Sequence, residues 1–190
     1  MLMKTNQSNR QIAYAAFLRG INVGGHKLVK MDDLKKAIES LGFTNVKTLL
    51  ASGNAVFHTP PMSASALTKR LEEKLKQTFG FEISVLIRSI KELQRLDKAK
   101  PFAGIKVTPQ TRLFVTFLTE KPARSLKTPY NAPGGNFKIL RVSKSEVCSV
   151  LSITDLRRGM QFMAFLDKEL GRMITTRSWS TVTRILNAGK

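Results

Sequence analysis

Three short stretches carry residue types that could do chemistry. The first is Arg19-Gly20-Ile21-Asn22-Val23-Gly24-Gly25-His26-Lys27, which follows an apolar run (Ile12 to Leu18) and precedes a helix start at Asp32. A glycine-rich, basic loop between strand and helix lets backbone N–H groups face an anion, with Arg19 and Lys27 as charge partners. The second is Ser52-Gly53-Asn54, which offers a hydroxyl and an amide. The third is Thr176-Arg177-Ser178-Trp179-Ser180-Thr181. There the arginine suits planar contacts with phosphate or carboxylate, and the tryptophan offers a stacking face. The ligand-binding candidates are therefore Arg19, Gly20, Asn22, Gly24, Gly25, Lys27, Ser52, Gly53, Asn54, Thr176, Arg177, Trp179 and Thr181.

Each stretch also has a structural reading. The glycines let the backbone turn, Ser52-Gly53-Asn54 makes a hairpin turn, and Ser178 or Ser180 caps a helix beside a core-packed Trp179. Several familiar chemistries fail on the residues themselves. Gly20 to Gly25 satisfies G-x-x-x-x-G, but His26-Lys27-Leu28 follows where a P-loop needs Lys and then Ser or Thr. The Rossmann spacing is absent. Ser52 sits in no G-x-S-x-G elbow, and no acid lies in the motif loops to complete a triad. Asp32, Glu72 and Glu92 fall on expected helices, so no general base and no catalytic residue is assigned. His26 and His58 lack metal-ligand spacing, which leaves neither a metal site nor a cofactor to expect.

The charge balance narrows the partners. The 190 residues hold 32 Lys+Arg against 13 Asp+Glu, a net +19. Such a surplus attracts polyanions and repels basic partners. Residues 98–144 hold ten Lys/Arg and one acid, Glu120. Lys121, Arg124, Lys127, Lys138, Arg141 and Lys144 flank a Pro/Gly loop with Tyr130 and Phe137 between them, a pattern suited to single-stranded nucleic acid. A sequence-reading RRM is not expected, because the region from Ser52 to Thr59 supplies only Phe57 for stacking. Cys148 stands alone among apolar neighbours, so it reads as a buried core thiol. The polar start, residues 1–11, reads as a disordered tail without the apolar segment of a secretory signal. No apolar run reaches the length of a membrane span, and a cytoplasmic protein is expected.

The elements that must position these residues follow from periodicity. Ile12–Leu18 reads as a strand, and a helix capped by Asp32 buries Leu34, Ala37, Ile38 and Leu41 before Gly42. Strands over Val46–Ala51 and Ala55–Thr59 flank the turn. A helix opened by Ser63 or Ser65 carries Leu67, Leu71, Leu75 and Phe79 to Gly80, and a strand runs Glu82–Arg88. Ser89 and Glu92 form a capping box for a connecting helix to Lys98. The order then recurs: a strand over Leu113–Leu118, a short helix or irregular crossover over Pro122–Thr128, and a loop from Pro129 to Asn136. A hairpin over Phe137–Val142 and Val147–Ile153 comes next, followed by a helix over Asp155–Leu170 and a strand over Arg172–Thr175. The fold expected is α+β, two ferredoxin-like (split βαβ, βαββαβ) halves over 12–100 and 101–190, plus a C-terminal helix from Ser180 to Asn187. In such a unit the first two strands run the same way, which puts Arg19–Lys27 beside Ser52-Gly53-Asn54.

Phe17-Leu18-Arg19-Gly20-Ile21-Asn22-Val23-Gly24-Gly25, Met31-Asp32-Asp33-Leu34, Leu41-Gly42-Phe43 and Ser52-Gly53-Asn54-Ala55-Val56-Phe57 resemble the bacterial family known as domain of unknown function 1697. Thr175-Thr176-Arg177-Ser178-Trp179-Ser180-Thr181-Val182 is similar to that family's Thr-x-Arg-Asn-Trp-x-Thr-Val signature, departing at Ser178 where Asn is usual. The resemblance covers nearly the whole chain from residue 12. It implies paired ferredoxin-like halves and no particular activity.

Three functional readings follow. The leading one is a non-enzymatic protein that binds a nucleic acid or nucleotide through the basic face and the glycine loop. The second is an enzyme acting on a small phosphorylated or carboxylated metabolite held by the same loops. The third is a structural or oligomerising domain that uses its sheet edges. The residues do not decide whether any reaction is catalysed, nor the oligomeric state.

Overall fold

Four strands build the first sheet of this α+β chain: β1 (Ile12–Leu18), β2 (Thr44–Leu49), β3 (Asn54–Thr59) and β4 (Val85–Ser89). Their order is β2-β3-β1-β4, and every neighbouring pair is antiparallel, so β1 and β2 run the same way. The computed structural model describes residues 10–122, 126–152, 156–171 and 173–190, which form two units, 10–94 with 184–190 and 95–183. Residues 1–9 of the expected tail, Arg124 in the crossover, Ile153, Asp155 and Arg172 lie outside the described residues.

Alternation along the strands puts Tyr14, Ala16, Leu18, Ala55, Phe57, Val85 and Ile87 on one face. They share a core with Leu34, Ala37 and Ile38 of α1 (Met31–Glu39) and Leu67, Leu71 and Leu75 of α2 (Ala64–Phe79). Ser63 caps α2 by accepting from the Ala66 N–H, and Gly80 ends it at φ +78°. The cap expected at Asp32 is not one. Lys30, in extended conformation, precedes the first turn and offers no side-chain cap bond, while Asp32 and Asp33 place carboxylates against the positive end of the helix. Gly42 follows two residues of turn after Ser40 begins to close the helix, and its N–H donates to Glu39 O.

The boundaries of β2, β3 and β4 differ from the expected ones. The turn between β2 and β3 spans residues 50–53 because Leu50 and Gly53 take the left-handed region (φ 59° and 77°), so Asn54 belongs to β3 and is fully buried. β4 starts at Val85, opposite Leu18, and not at Glu82. The carbonyls of Glu82 and Ser84 are taken by Lys27 and by the Arg19 N–H. The capping box on α3 (Ile90–Lys98) is present: the Glu92 N–H donates to Ser89 Oγ at 3.2 Å and the Ser89 N–H to Glu92 Oε2 at 2.7 Å.

The second sheet contains β5 (Thr111–Leu118), β6 (Tyr130–Asn131), β7 (Phe137–Val142), β8 (Glu146–Ser152) and β9 (Ile174–Ser178), in the order β6-β7-β8-β5-β9. Without β6 this repeats the first sheet's order. The register repeats as well: Ala15 lies between Val56 and Arg88, as Val115 lies between Cys148 and Arg177. Phe137, Ile139, Val147 and Leu151 pack with Phe162 and Leu166 of α4 (Leu156–Leu170). Among the described residues no helix stands between β5 and β7, where α1 stands in the first unit. The expected loop from Pro129 to Asn136 contains β6 instead, whose Tyr130 pairs with Ile139. β9 runs on to Ser178 and not only to Thr175, because Thr176, Arg177 and Ser178 continue the register with Thr116, Val115 and Phe114. α5 (Trp179–Ala188) follows directly, one residue before the expected Ser180. Its last residues belong with the first unit: Lys47 Nζ donates to Ala188 O at 3.0 Å.

Candidate functional site

β1 leaves its sheet under two main-chain clamps. The Leu18 N–H donates to Gly53 O at 2.8 Å and the Arg19 N–H to Ser84 O at 2.9 Å. The loop beyond needs unusual backbone angles, which its composition allows: Gly20, Asn22 and Lys27 all have positive φ. At its tip Val23 and His26 form an isolated bridge around Gly24 and Gly25, both at positive φ (58° and 77°), as in a primed hairpin turn.

Asn22 holds this loop in place. Its Nδ2 donates to Val29 O at 3.0 Å and to Ala51 O at 2.8 Å, while its Oδ1 accepts from the Val29 N–H at 2.9 Å. One amide thus closes the loop on itself and ties it to the β2–β3 turn. Lys27 is also engaged: its Nζ donates to Glu82 O at 3.0 Å and stands 5.8 Å over the Phe81 ring. The structure therefore brings together the two segments that topology places at one end of the sheet. Two of the side chains proposed to meet an anion are used within the protein. The Gly24 and Gly25 N–H groups at the exposed tip have no acceptor among the described residues.

The β2–β3 turn packs tightly against this loop. A Cβ on Gly53 would lie 2.7 Å from Ile21 Cδ1 and 2.9 Å from Leu18 Cβ, and φ there is +77°. Asn54, buried, donates from Nδ2 to Leu49 O at 3.0 Å and to Ser52 Oγ at 3.1 Å. A cavity of about 270 Å³ in this unit is lined by Glu72, Glu73, Lys76, Glu82, Ile83 and Ser84. Its three carboxylates oppose an anion. One of them, Glu72, accepts from the Val85 N–H at 2.8 Å, and Glu82 pairs with Lys76 at 3.0 Å.

The third candidate stretch lies in the second unit. Thr176 Oγ1 bonds Thr116 Oγ1 at 2.9 Å across β9 and β5. Arg177 turns Nη1 onto Thr175 Oγ1 and Thr176 O, both at 2.9 Å. Trp179, half-buried, meets Phe102 edge-on with ring centroids 5.3 Å apart. Thr181 is buried, and its N–H and hydroxyl both meet Ser178 Oγ, which makes Ser178 the cap of α5. Arg88, which no sequence motif singles out, occupies in the first sheet the register position of Arg177 and likewise donates from Nη1 to the preceding carbonyl, Ile87 O, at 2.8 Å. Its signal lies in the repeat: Arg88-Ser89 and Arg177-Ser178 each end a last strand and cap the following helix.

Of the basic residues flanking the Pro/Gly loop, Arg141 pairs with Glu146 at 3.7 Å. The side chains of Lys121, Lys127, Lys138 and Lys144 make no ion pair or hydrogen bond among the described residues. The aromatics between them pack on the core: Phe137 is buried 4.9 Å from the Phe165 ring, and Tyr130, half-buried, stacks on the same ring at 5.0 Å, which takes up one of its faces. Cys148 is buried and its thiol is pushed up to about 12, chiefly by desolvation. Among the described residues no group of three or more His, Cys, Asp or Glu could hold a metal ion, and no helix is long and apolar enough to cross a membrane.

The fold and this loop define a class: an α+β protein with two antiparallel sheets, whose glycine-rich loop after the first strand is pinned to the turn between the second and third. The chain belongs to the family described as "Protein of unknown function (DUF1697)", whose pattern matches residues 12–147. The match ends in β8, so Thr176 to Thr181 lie beyond it. The fold is similar to that of the conserved bacterial protein SP0830 from Streptococcus pneumoniae, at 21% identity and a TM-score of 0.70, covering 95% of this chain and 100% of that one. No curated protein matches the chain.

Proposed function

We propose that this protein is a non-enzymatic binder of polyanions, nucleic acid foremost. The observation that carries the reading is the unpaired charge: the chain has a net +19, and the side chains of Lys121, Lys127, Lys138 and Lys144 have no partner among the described residues, in a segment whose single acid is Glu120. Cations without internal partners are the ones that release counterions when they meet phosphates. In the first unit the glycine loop offers its tip amides, with Arg19 and the residues of the β2–β3 turn, as further contacts, and in the second unit Thr176, Arg177, Trp179 and Thr181 do so. An enzyme on a small anionic metabolite is less well supported, since Asn22 and Lys27 are engaged internally and Glu82, the carboxylate residue that Lys27 reaches, is paired with Lys76. Each half is read as ferredoxin-like, supported by the strand orders β2-β3-β1-β4 and β7-β8-β5-β9, and the protein as cytoplasmic.

Binding of labelled nucleic acid to the full chain across a salt series tests the reading. Log K is expected to fall linearly with log salt, with a slope of about 0.9 per duplex phosphate contacted. No binding at low ionic strength would show the surplus charge to be incidental.

A further inference from the structure

We infer that the polyanion is held through its phosphates alone, so that the protein takes duplex nucleic acid in preference to a single strand. This rests on the polyanion reading above and names its ligand class. The chain has 11 Phe, 2 Tyr and one Trp, all among the described residues, and none of them is exposed. The large apolar side chains that do reach solvent are aliphatic, Val23, Leu28, Val107, Met160 and Met173 among them. A single strand is bound through aromatic platforms, each stacked base contributing about 1–3 kcal/mol. Among the described residues no fully exposed ring supplies such a platform, and the half-buried rings Tyr130 and Trp179 are each packed against another aromatic.

Arginine could stand in for a ring by stacking its guanidinium, but Arg112 and Arg141 of the basic segment are engaged. Arg141 pairs with Glu146, and Arg112 donates from Nη1 to Pro109 O and Thr111 O. What remains among the described residues there is lysine, a compact point charge that meets phosphate without reading a base. Recognition by point charges favours the densest phosphate array. A duplex carries one charge per about 1.7 Å of axis, with both strands counted.

The test uses the full chain and three probes of one length at low salt: a duplex, one of its strands, and that strand with abasic sites in place of its bases. The duplex is expected to bind more tightly than the strand. The abasic strand is expected to keep the strand's affinity within about twofold, because it keeps every phosphate. The single tryptophan gives a second readout, since Trp179 fluorescence should not be quenched by the intact strand relative to the abasic one. A strand that binds as tightly as the duplex, or an abasic loss of about tenfold, would overturn the inference while leaving the polyanion reading standing. Failure of all three probes to bind would overturn both. A triple variant, Lys127→Gln, Lys138→Gln and Lys144→Gln, is expected to lower the salt slope by about one for every phosphate that these lysines neutralise. An unchanged slope would remove this segment from the binding surface.

Discussion

At the end of β1 and at the end of β5 the two units make the same main-chain clamps and then diverge. The Leu18 N–H donates to Gly53 O and the Arg19 N–H to Ser84 O; the Leu118 N–H donates to Ser145 O and the Thr119 N–H to Met173 O. In the first unit the glycine loop then folds back, with Asn22 reaching Ala51 and Lys27 reaching Glu82. In the second unit a cavity of about 230 Å³ opens there, lined by Leu118, Lys121, Leu170 and Met173, and Met173 is 58% exposed. The shared part is the strand frame, which any alternating apolar sequence of this order can build. The difference lies in the loop, and most of its distinctive residues work to hold it against the turn. A motif rich in glycine and polar side chains therefore need not owe its composition to a ligand.

The largest expected break in the comparison comes at Gly53 and its counterpart Ser145. Gly53→Ala puts a Cβ within 3 Å of Leu18 and Ile21 at a left-handed φ. The strain and overpacking together should cost about 3–4 kcal/mol, read as a lowered denaturation midpoint. Ser145→Gly meets no such wall and loses the hydroxyl's bond to Glu146, at a cost of about 1 kcal/mol. Equal losses at the two positions would show that the turns are packed alike.

Asn22→Ala removes three hydrogen bonds that have no equivalent among the described residues of the second unit. The cost should be about 2–3 kcal/mol, since the Val29 N–H and two carbonyls lose their partner. Amide exchange should rise at Val29 and leave the β5–β8 pairing untouched. If the variant kept full stability but lost binding to an anion, the amide's role would be in recognition and not in holding the loop.

Much of this frame was legible in the sequence. β1 and the Ser63, Gly80 and Ser89 signals fall where periodicity and capping residues put them, because those signals are local. The misses are non-local. Asn54 reads as a turn residue, yet the turn's positive φ values fall on Leu50 and Gly53, and burial follows from pairing with Phe17. Tyr130 and Phe137 read as stacking aromatics because charge surrounds them in the chain, while α4 supplies the rings they pack on. Asn22 reads as a ligand group because its partners, at Val29 and Ala51, are backbone atoms that no side-chain pattern reveals.

The next comparison is Cys148 with Val56, its counterpart in register. The thiol ordinarily ionises near 9.0 and is held up to about 12 in the fold. Between those values the unfolded chain loses the proton and the folded chain keeps it, so stability should fall as pH rises, by about 1.4 kcal/mol per unit. Below 9 the group contributes no slope. Cys148→Val should flatten this alkaline limb and make the two units alike there. A limb of the same steepness in the variant would assign the loss to other groups. The native thiol should also resist alkylation at pH 8.

The smallest effects separate the two helix caps. Ser89 shares a reciprocal box with Glu92, whereas Ser178 accepts from the Thr181 N–H with only hydroxyls, Ser180 and Thr181, around it. Either serine changed to Ala should cost about 1 kcal/mol, with Ser89→Ala the larger because it also loosens the carboxylate. The cap accounts for Ser178 and says what else the position would accept, Asn among them. Both residues rank at the top of the N-cap scale, so the position asks for a short acceptor before a helix and not for an amide. Ser178→Asn should therefore leave the midpoint within about 0.5 kcal/mol of the parent and leave binding unchanged. A gain in affinity for an anionic probe in that variant, with stability constant, would instead make residue 178 part of the binding surface and Arg177 its neighbour there.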